Sequence, residues 1–152
     1  MKQKGFSLLE VLLVMAILSL AATAAVPVFT AISDRLLLQR EAALLVSELR
    51  YLRELSMDYP SQSTRFVDVQ SDTYPAFKGG GSEYYIYLNM SKYERHRLPN
   101  GMNISGDIKH VRFGVLGTAN PVTLTLDLHG QSKYVIIDVE GRIRVSDKPP
   151  EG

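Results

Sequence analysis

The sequence predicts an α+β protein in which one long N-terminal helix packs on a mainly antiparallel β-sheet. Three observations carry that prediction. An apolar run of helical length opens the chain. Leucines at three- and four-residue steps follow it. After Pro60 the apolar residues change to a period of two. At 152 residues the length suggests one folded domain beyond the apolar segment.

The first element starts after a short basic stretch, Met1-Lys2-Gln3-Lys4. From Phe6 to Phe29 the only ionisable residue is Glu10. A bilayer core needs roughly 20 mostly apolar helical residues, and the run from Phe6 to Val26 meets that length. Lys2 and Lys4 would hold the N-terminal end on the cytoplasmic side and leave the remainder outside. A cleaved secretory signal is one alternative, with Ala22-Thr23-Ala24 as the small-residue site. The apolar run, however, exceeds the usual 7–15 residues of such signals. A plain signal anchor explains the length but not Glu10, since a carboxylate at a helix centre costs about 2.5–3.5 kcal/mol on the insertion scale.

Lys4-Gly5-Phe6-Ser7-Leu8-Leu9-Glu10 and the apolar run behind it closely resemble the cleavage and methylation motif of type IV prepilins and pseudopilins. The resemblance implies a leader over 1–5 that a prepilin peptidase removes by cutting after Gly5. It implies N-methylation of the new N-terminus, Phe6, by the same peptidase/methylase. It also implies that Glu10 aligns each incoming subunit with a neighbour's N-terminal amine, which is sensible because opposite charges in low dielectric are costly alone and attract when paired. The remaining divisions are a transmembrane segment over 6–29, an amphipathic helical half over 30–59, and an extracytoplasmic β-rich domain over 60–152. Implied partners are other pilin or pseudopilin subunits, an inner-membrane assembly platform and membrane lipid. The implied location is the bacterial cytoplasmic membrane as a single-pass protein, and then the filament.

Pro27 follows the apolar run. It is read either as a kink, as at this place in the resembling family, or as the end of the membrane helix. From Ser33 to Met57, Leu37, Leu38, Ala42, Leu45, Leu49, Leu52 and Leu55 form one apolar face. Arg35, Arg40, Glu41, Glu48, Arg50, Arg53 and Glu54 are read as a solvated stripe. Tyr59-Pro60-Ser61 stops the helix, which from Ser7 to Asp58 would be roughly 75–80 Å long.

Strands are then expected at 64–69, 83–88, 102–104, 111–113, 122–128, 133–139 and 141–145. Gly79-Gly80-Gly81 is read as a loop, and turns fall at 98–101, 116–121 and 129–131. The apolar stripe of the helix is the natural cover for this sheet. Phe113-Gly114-Val115-Leu116-Gly117-Thr118-Ala119, Thr123-Leu124-Thr125-Leu126, Val135-Ile136-Ile137 and Gly141-Arg142-Ile143-Arg144-Val145 resemble the closing strands of H-type minor pseudopilins and FimT-type minor pilins. Competence pseudopilins of Gram-positive bacteria share the architecture.

Chemistry is sparse. The chain has no cysteine, which excludes disulfides, thiolate ligands and a cysteine nucleophile. His96, His110 and His129 lack metal-ligand spacing and read as scattered surface residues. Neither a nucleophile elbow nor a phosphate loop is present. No enzyme, metal or cofactor is expected. Two basic groups remain, Lys92-Tyr93-Glu94-Arg95-His96-Arg97 and the pair Arg142 and Arg144. Gly141-Arg142-Ile143-Arg144 resembles a Gly-Arg-x-Arg segment proposed to contact DNA in FimT-type competence pilins. The net charge of +1 does not favour DNA, and a solubilising strand face with Asp138, Glu140 or Asp147 beside it is the plainer reading.

Overall fold

A computed structural model describes residues 7–58, 75–88, 92–106 and 111–150, the side chains of Ala24 and Ala25 excepted. The expected strand at 64–69, His110 and the cleavage pair Gly5 and Phe6 lie outside the described residues. The architecture is α+β and pilin-like, a long apolar N-terminal helix followed by antiparallel sheets. The helix, α1, spans Leu8–Asp58. Chain proximity separates two units, Met1–Arg35 and Leu36–Gly152.

In the first unit the helix begins at Ser7, whose carbonyl accepts from the Glu10 and Val11 amides at 3.1 and 3.2 Å. α1 continues through Pro27, so that residue does not end the helix. Proline has no N–H for the carbonyl four residues back. The Thr30 hydroxyl donates to the Pro27 carbonyl itself at 2.9 Å.

The second unit has its own core. On α1, Leu38, Ala42, Leu45, Leu49 and Leu52 are buried at three- and four-residue steps, as one face of a 3.6-residue helix requires. They pack against strand residues that alternate inward and outward. Where one sheet was expected, there are two. The first holds β1 (Ala76–Gly80), β2 (Glu83–Tyr87) and β3 (Tyr93–Arg97) in that order. The second holds β4 (Met102–Gly106), β5 (Val122–Leu128), β6 (Gln131–Ile137) and β7 (Ile143–Ser146). All pairings are antiparallel. The sheets meet through the isolated bridge of Gly81 with Ile104, and Phe77 of β1 also bridges to Val111, outside both sheets.

β5 shows the clearest link from sequence to packing. Val122, Leu124, Leu126 and Leu128 are buried while the threonines and Asp127 between them are not. His129 and Gly130, both at positive φ (48° and 82°), make the two-residue turn into β6, the geometry whose twist suits a tight hairpin.

Two elements depart from expectation. β1 occupies the glycine-rich segment read as a loop. Glycine is a poor strand former, but Gly79 is covered by the Phe77 ring, which leaves no room there for a side chain. An aromatic lying over a strand glycine supplies the packing that the glycine lacks. β3 occupies the segment read only as a basic group. Its charged residues suit an edge strand, where they deter pairing with other chains. The expected strand at 111–113 is reduced to the bridges of Val111 and of Phe113 with Ala119.

Candidate functional site

In the first unit the residues from Leu8 to Arg35 are almost all exposed, and the exposed set includes Leu12, Leu13, Ile17, Leu18 and Phe29. Its helix is long and apolar enough to cross a membrane, and none of its apolar window is buried by the protein. Hydroxyl side chains in this stretch bond back to the helix. The Ser19 hydroxyl donates to the Met15 carbonyl at 2.8 Å and the Thr23 hydroxyl to the Leu20 carbonyl at 2.8 Å. Such back-bonding hides hydroxyls that lipid could not solvate.

Glu10 is the acid of the first helical turn. Ser7 Oγ accepts from its amide at 3.4 Å, and Ser7-Leu8-Leu9-Glu10 has the Ser-x-x-Glu spacing of a helix N-terminal cap. A carboxylate here also complements the positive end of the helix dipole. Among the described residues no cation pairs with it. Sequence reading singled out Glu10 but missed Ser7, although the capping spacing was legible.

In the second unit, polar residues gather where α1 meets β2 and β3. Glu41, expected on a solvated stripe, is only 4% exposed. His96, expected at the surface, is half-buried beside it, with Nε2 3.2 Å from Glu41 Oε2 and Nδ1 3.9 Å from Glu48 Oε1. The His96 ring stacks on Tyr84 at 4.8 Å and 17°. Burial, and then the Glu48 carboxylate, push the Tyr84 hydroxyl far above the usual tyrosine range. That hydroxyl and Glu48 Oε2 are both buried, and neither has a well-formed hydrogen bond among the described residues. Each correction follows from the periodicity of its element. His96 alternates with the outward Arg95 and Arg97, so the pleat turns it inward, and Glu41 stands three residues after Leu38 and four before Leu45, on the same buried face of α1. Among the described residues no group of three or more His, Asp or Glu is placed to hold a metal ion.

Arg142 lies in the turn between β6 and β7, and Arg144 on β7. Both are exposed. Arg142 is not an unpaired cation: its Nε lies 2.9 Å from Asp138 Oδ2 and its amide 2.9 Å from Asp138 Oδ1. Those bonds, the backbone amide first, hold the Asp138 carboxyl below the usual aspartate range. The turn is pinned from the helix. Arg53 Nε donates to the Gly117 carbonyl at 3.0 Å and Arg53 Nη2 to the Glu140 carbonyl at 3.4 Å. Arg50, Arg53, Glu54 and Met57 of α1 face Gly141, Arg142 and Ile143 across a shallow cleft of about 320 Å³. Gly141 has φ 71°, and a side chain there would meet the Gly117 carbonyl oxygen at 1.8 Å. So the glycine of Gly141-Arg142-Ile143-Arg144 is required by packing alone.

Comparison with known proteins bears on the first unit. Residues 1–26 match the prokaryotic N-terminal methylation motif. That match supports a type IV pilin-like protein processed by prepilin peptidase, and it implies pilin-family subunits as partners. With the apolar helix it is consistent with a membrane-anchored pilin. No curated protein and no solved structure matches the chain.

Proposed function

We propose that the chain is an H-type minor pseudopilin, a structural subunit of a type II secretion or type IV pilus filament rather than an enzyme. The methylation motif running into an exposed apolar helix, with Glu10 as the one charge in it, carries this reading. Cleavage after Gly5 frees the Phe6 amine, which is then methylated. Glu10 of one subunit pairs with that amine on its neighbour, and Pro27 lets the helix bend in the filament. The protein is anchored in the cytoplasmic membrane with its C-terminal domain outside and is assembled by an inner-membrane platform. The closing strands β5 to β7, where the resemblance to minor subunits falls, support the finer assignment.

The test is the mass of the mature protein from cells containing its peptidase. The expected chain begins at Phe6 and carries one methyl group. A chain beginning at Ala25 sinks the proposal. Glu10→Ala is expected to leave processing intact and to lower incorporation into filaments. Equal incorporation counts against the pairing role.

A second reading, a competence pseudopilin or FimT-type minor pilin that assists DNA uptake, rests on the exposed Arg142 and Arg144. The Asp138 pair offsets Arg142, so this reading stands behind the first. It requires salt-sensitive DNA binding that falls when both arginines become alanine.

A further inference from the structure

The outer face of the first sheet carries an arrangement that neither filament assembly nor the Arg142 and Arg144 segment uses. Tyr84 and Ile86 of β2 are buried, so Tyr85 and Tyr87 between them point away from the core. Register places Tyr93 of β3 beside Tyr87, Lys78 and Arg95 on either side of Tyr85, and Arg97 beside Glu83. The three tyrosine rings touch in a triangle with centroids 5.5, 5.8 and 6.1 Å apart. Lys78 Nζ sits 5.5 Å from the centre of the Tyr87 ring. Tyr93, on the edge strand, is 56% exposed.

The charge of this face is one-sided. Lys78, Arg95 and Arg97 stand against one carboxylate, Glu83. Arg95 binds that carboxylate through Nε at 2.9 Å, and the Tyr85 hydroxyl donates to its other oxygen. Glu83 is therefore held in place, with Lys78 over the Tyr87 ring and Arg97 beside Glu83.

We infer that this face of β1 to β3 is a binding platform for single-stranded nucleic acid, with bases stacked on Tyr85, Tyr87 and Tyr93 and phosphates held by Lys78 and Arg97. Aromatic rings on adjacent strands, bordered by cations, are what an unpaired strand needs: every base has a face to stack, and every linkage a charge to neutralise. The ring separations exceed the about 3.4 Å rise of a stacked strand, so each ring takes a splayed base. A duplex hides its base faces and offers this platform only phosphate. The site is separate from the β6–β7 turn and does not depend on the filament reading.

The test is fluorescence anisotropy of labelled oligo-dT with the full chain in detergent micelles, beside a duplex of equal length. Single strand is expected to bind more tightly than duplex. Tyr93→Ala weakens it about tenfold, while Tyr93→Phe keeps the ring and the affinity. Tyr93→Leu keeps apolar cover and still loses affinity. Lys78→Ala lowers the salt slope by about 0.7 for the phosphate it no longer meets. Equal affinity for duplex, no loss in Tyr93→Ala, or displacement by poly-glutamate as effective as by unlabelled oligo-dT each overturns the inference.

Discussion

Replacing His96 by alanine strands a buried carboxylate. Among the described residues Glu41 then keeps only Arg40, whose Nε is 4.0 Å away on a side chain 72% exposed, a distance and setting in which attraction is weak. Breaking a buried pair from one side costs about 3–5 kcal/mol. The His96 side chain is 30% exposed, so water reaches the gap and the lower part of that range applies. The lost stacking on Tyr84 adds about 0.5–1.5 kcal/mol. The expected loss for His96→Ala is therefore about 3.5–4.5 kcal/mol. Glu41→Ala removes the buried charge itself and leaves a histidine that water and Glu48 can serve, so it costs about 1–2 kcal/mol.

The double variant is then expected to cost less than the sum of the singles by about 1–3 kcal/mol. Glu41→Leu, which extends the apolar stripe of Leu38, Ala42 and Leu45, is expected to be near neutral with His96→Ala present. The assay is urea unfolding of the full chain in micelles followed by tyrosine fluorescence. The chain has eight tyrosines and no tryptophan, and none of the tyrosines precedes Tyr51, so the signal excludes the apolar segment. Single losses below about 0.5 kcal/mol that simply add would refute the coupling.

Leu49→Ala, at a position 0% exposed, should cost about 2–5 kcal/mol in the same assay, whereas Leu44→Ala, 36% exposed, should cost under about 1. Gly141→Ala forces a side chain onto the Gly117 carbonyl at positive φ and should lower stability by about 2–5 kcal/mol; an unchanged midpoint would mean that the turn is free to move. Asp138 has a carboxyl held below its unfolded value, so its contribution is complete above the ordinary aspartate range and is lost as pH falls through the lowered folded value. Asp138→Asn should accordingly destabilise at neutral pH and flatten the acid side of the stability profile. An acid limb identical to wild type would count against the Arg142 contact in solution.

Much of the fold was legible because its signals are local. Strand β5 was read with its observed limits, since Val122 to Leu128 alternate without interruption. The stripe from Leu38 to Leu52 was read from spacing alone. β1 was not legible, because glycines carry no pattern and the packing comes from Phe77 folding across Gly79. β3 was seen as charge rather than as a strand, since its inward residue is a histidine and its alternation is of polar types. In the candidate sites the same division holds. Glu10 stood out as one carboxylate in an apolar run. The partners of His96 did not, because Glu41 is fifty-five positions away and nothing in either neighbourhood announces the other.

The amino-acid order by itself determined the two characters of this chain. An unbroken apolar run with one acid near its start is a local property, written in consecutive residues, and so is the change from a helical to a two-residue period after Pro60. Only the tertiary structure decided which polar residues face inward and which meet. Glu41 against His96, Arg53 on the Gly117 carbonyl, Asp138 holding Arg142, and three tyrosines gathered on one sheet face all depend on strand register and on the side of α1 that the sheets cover. Those are long-range choices, made by packing the whole apolar set at once, and no short window of sequence contains them.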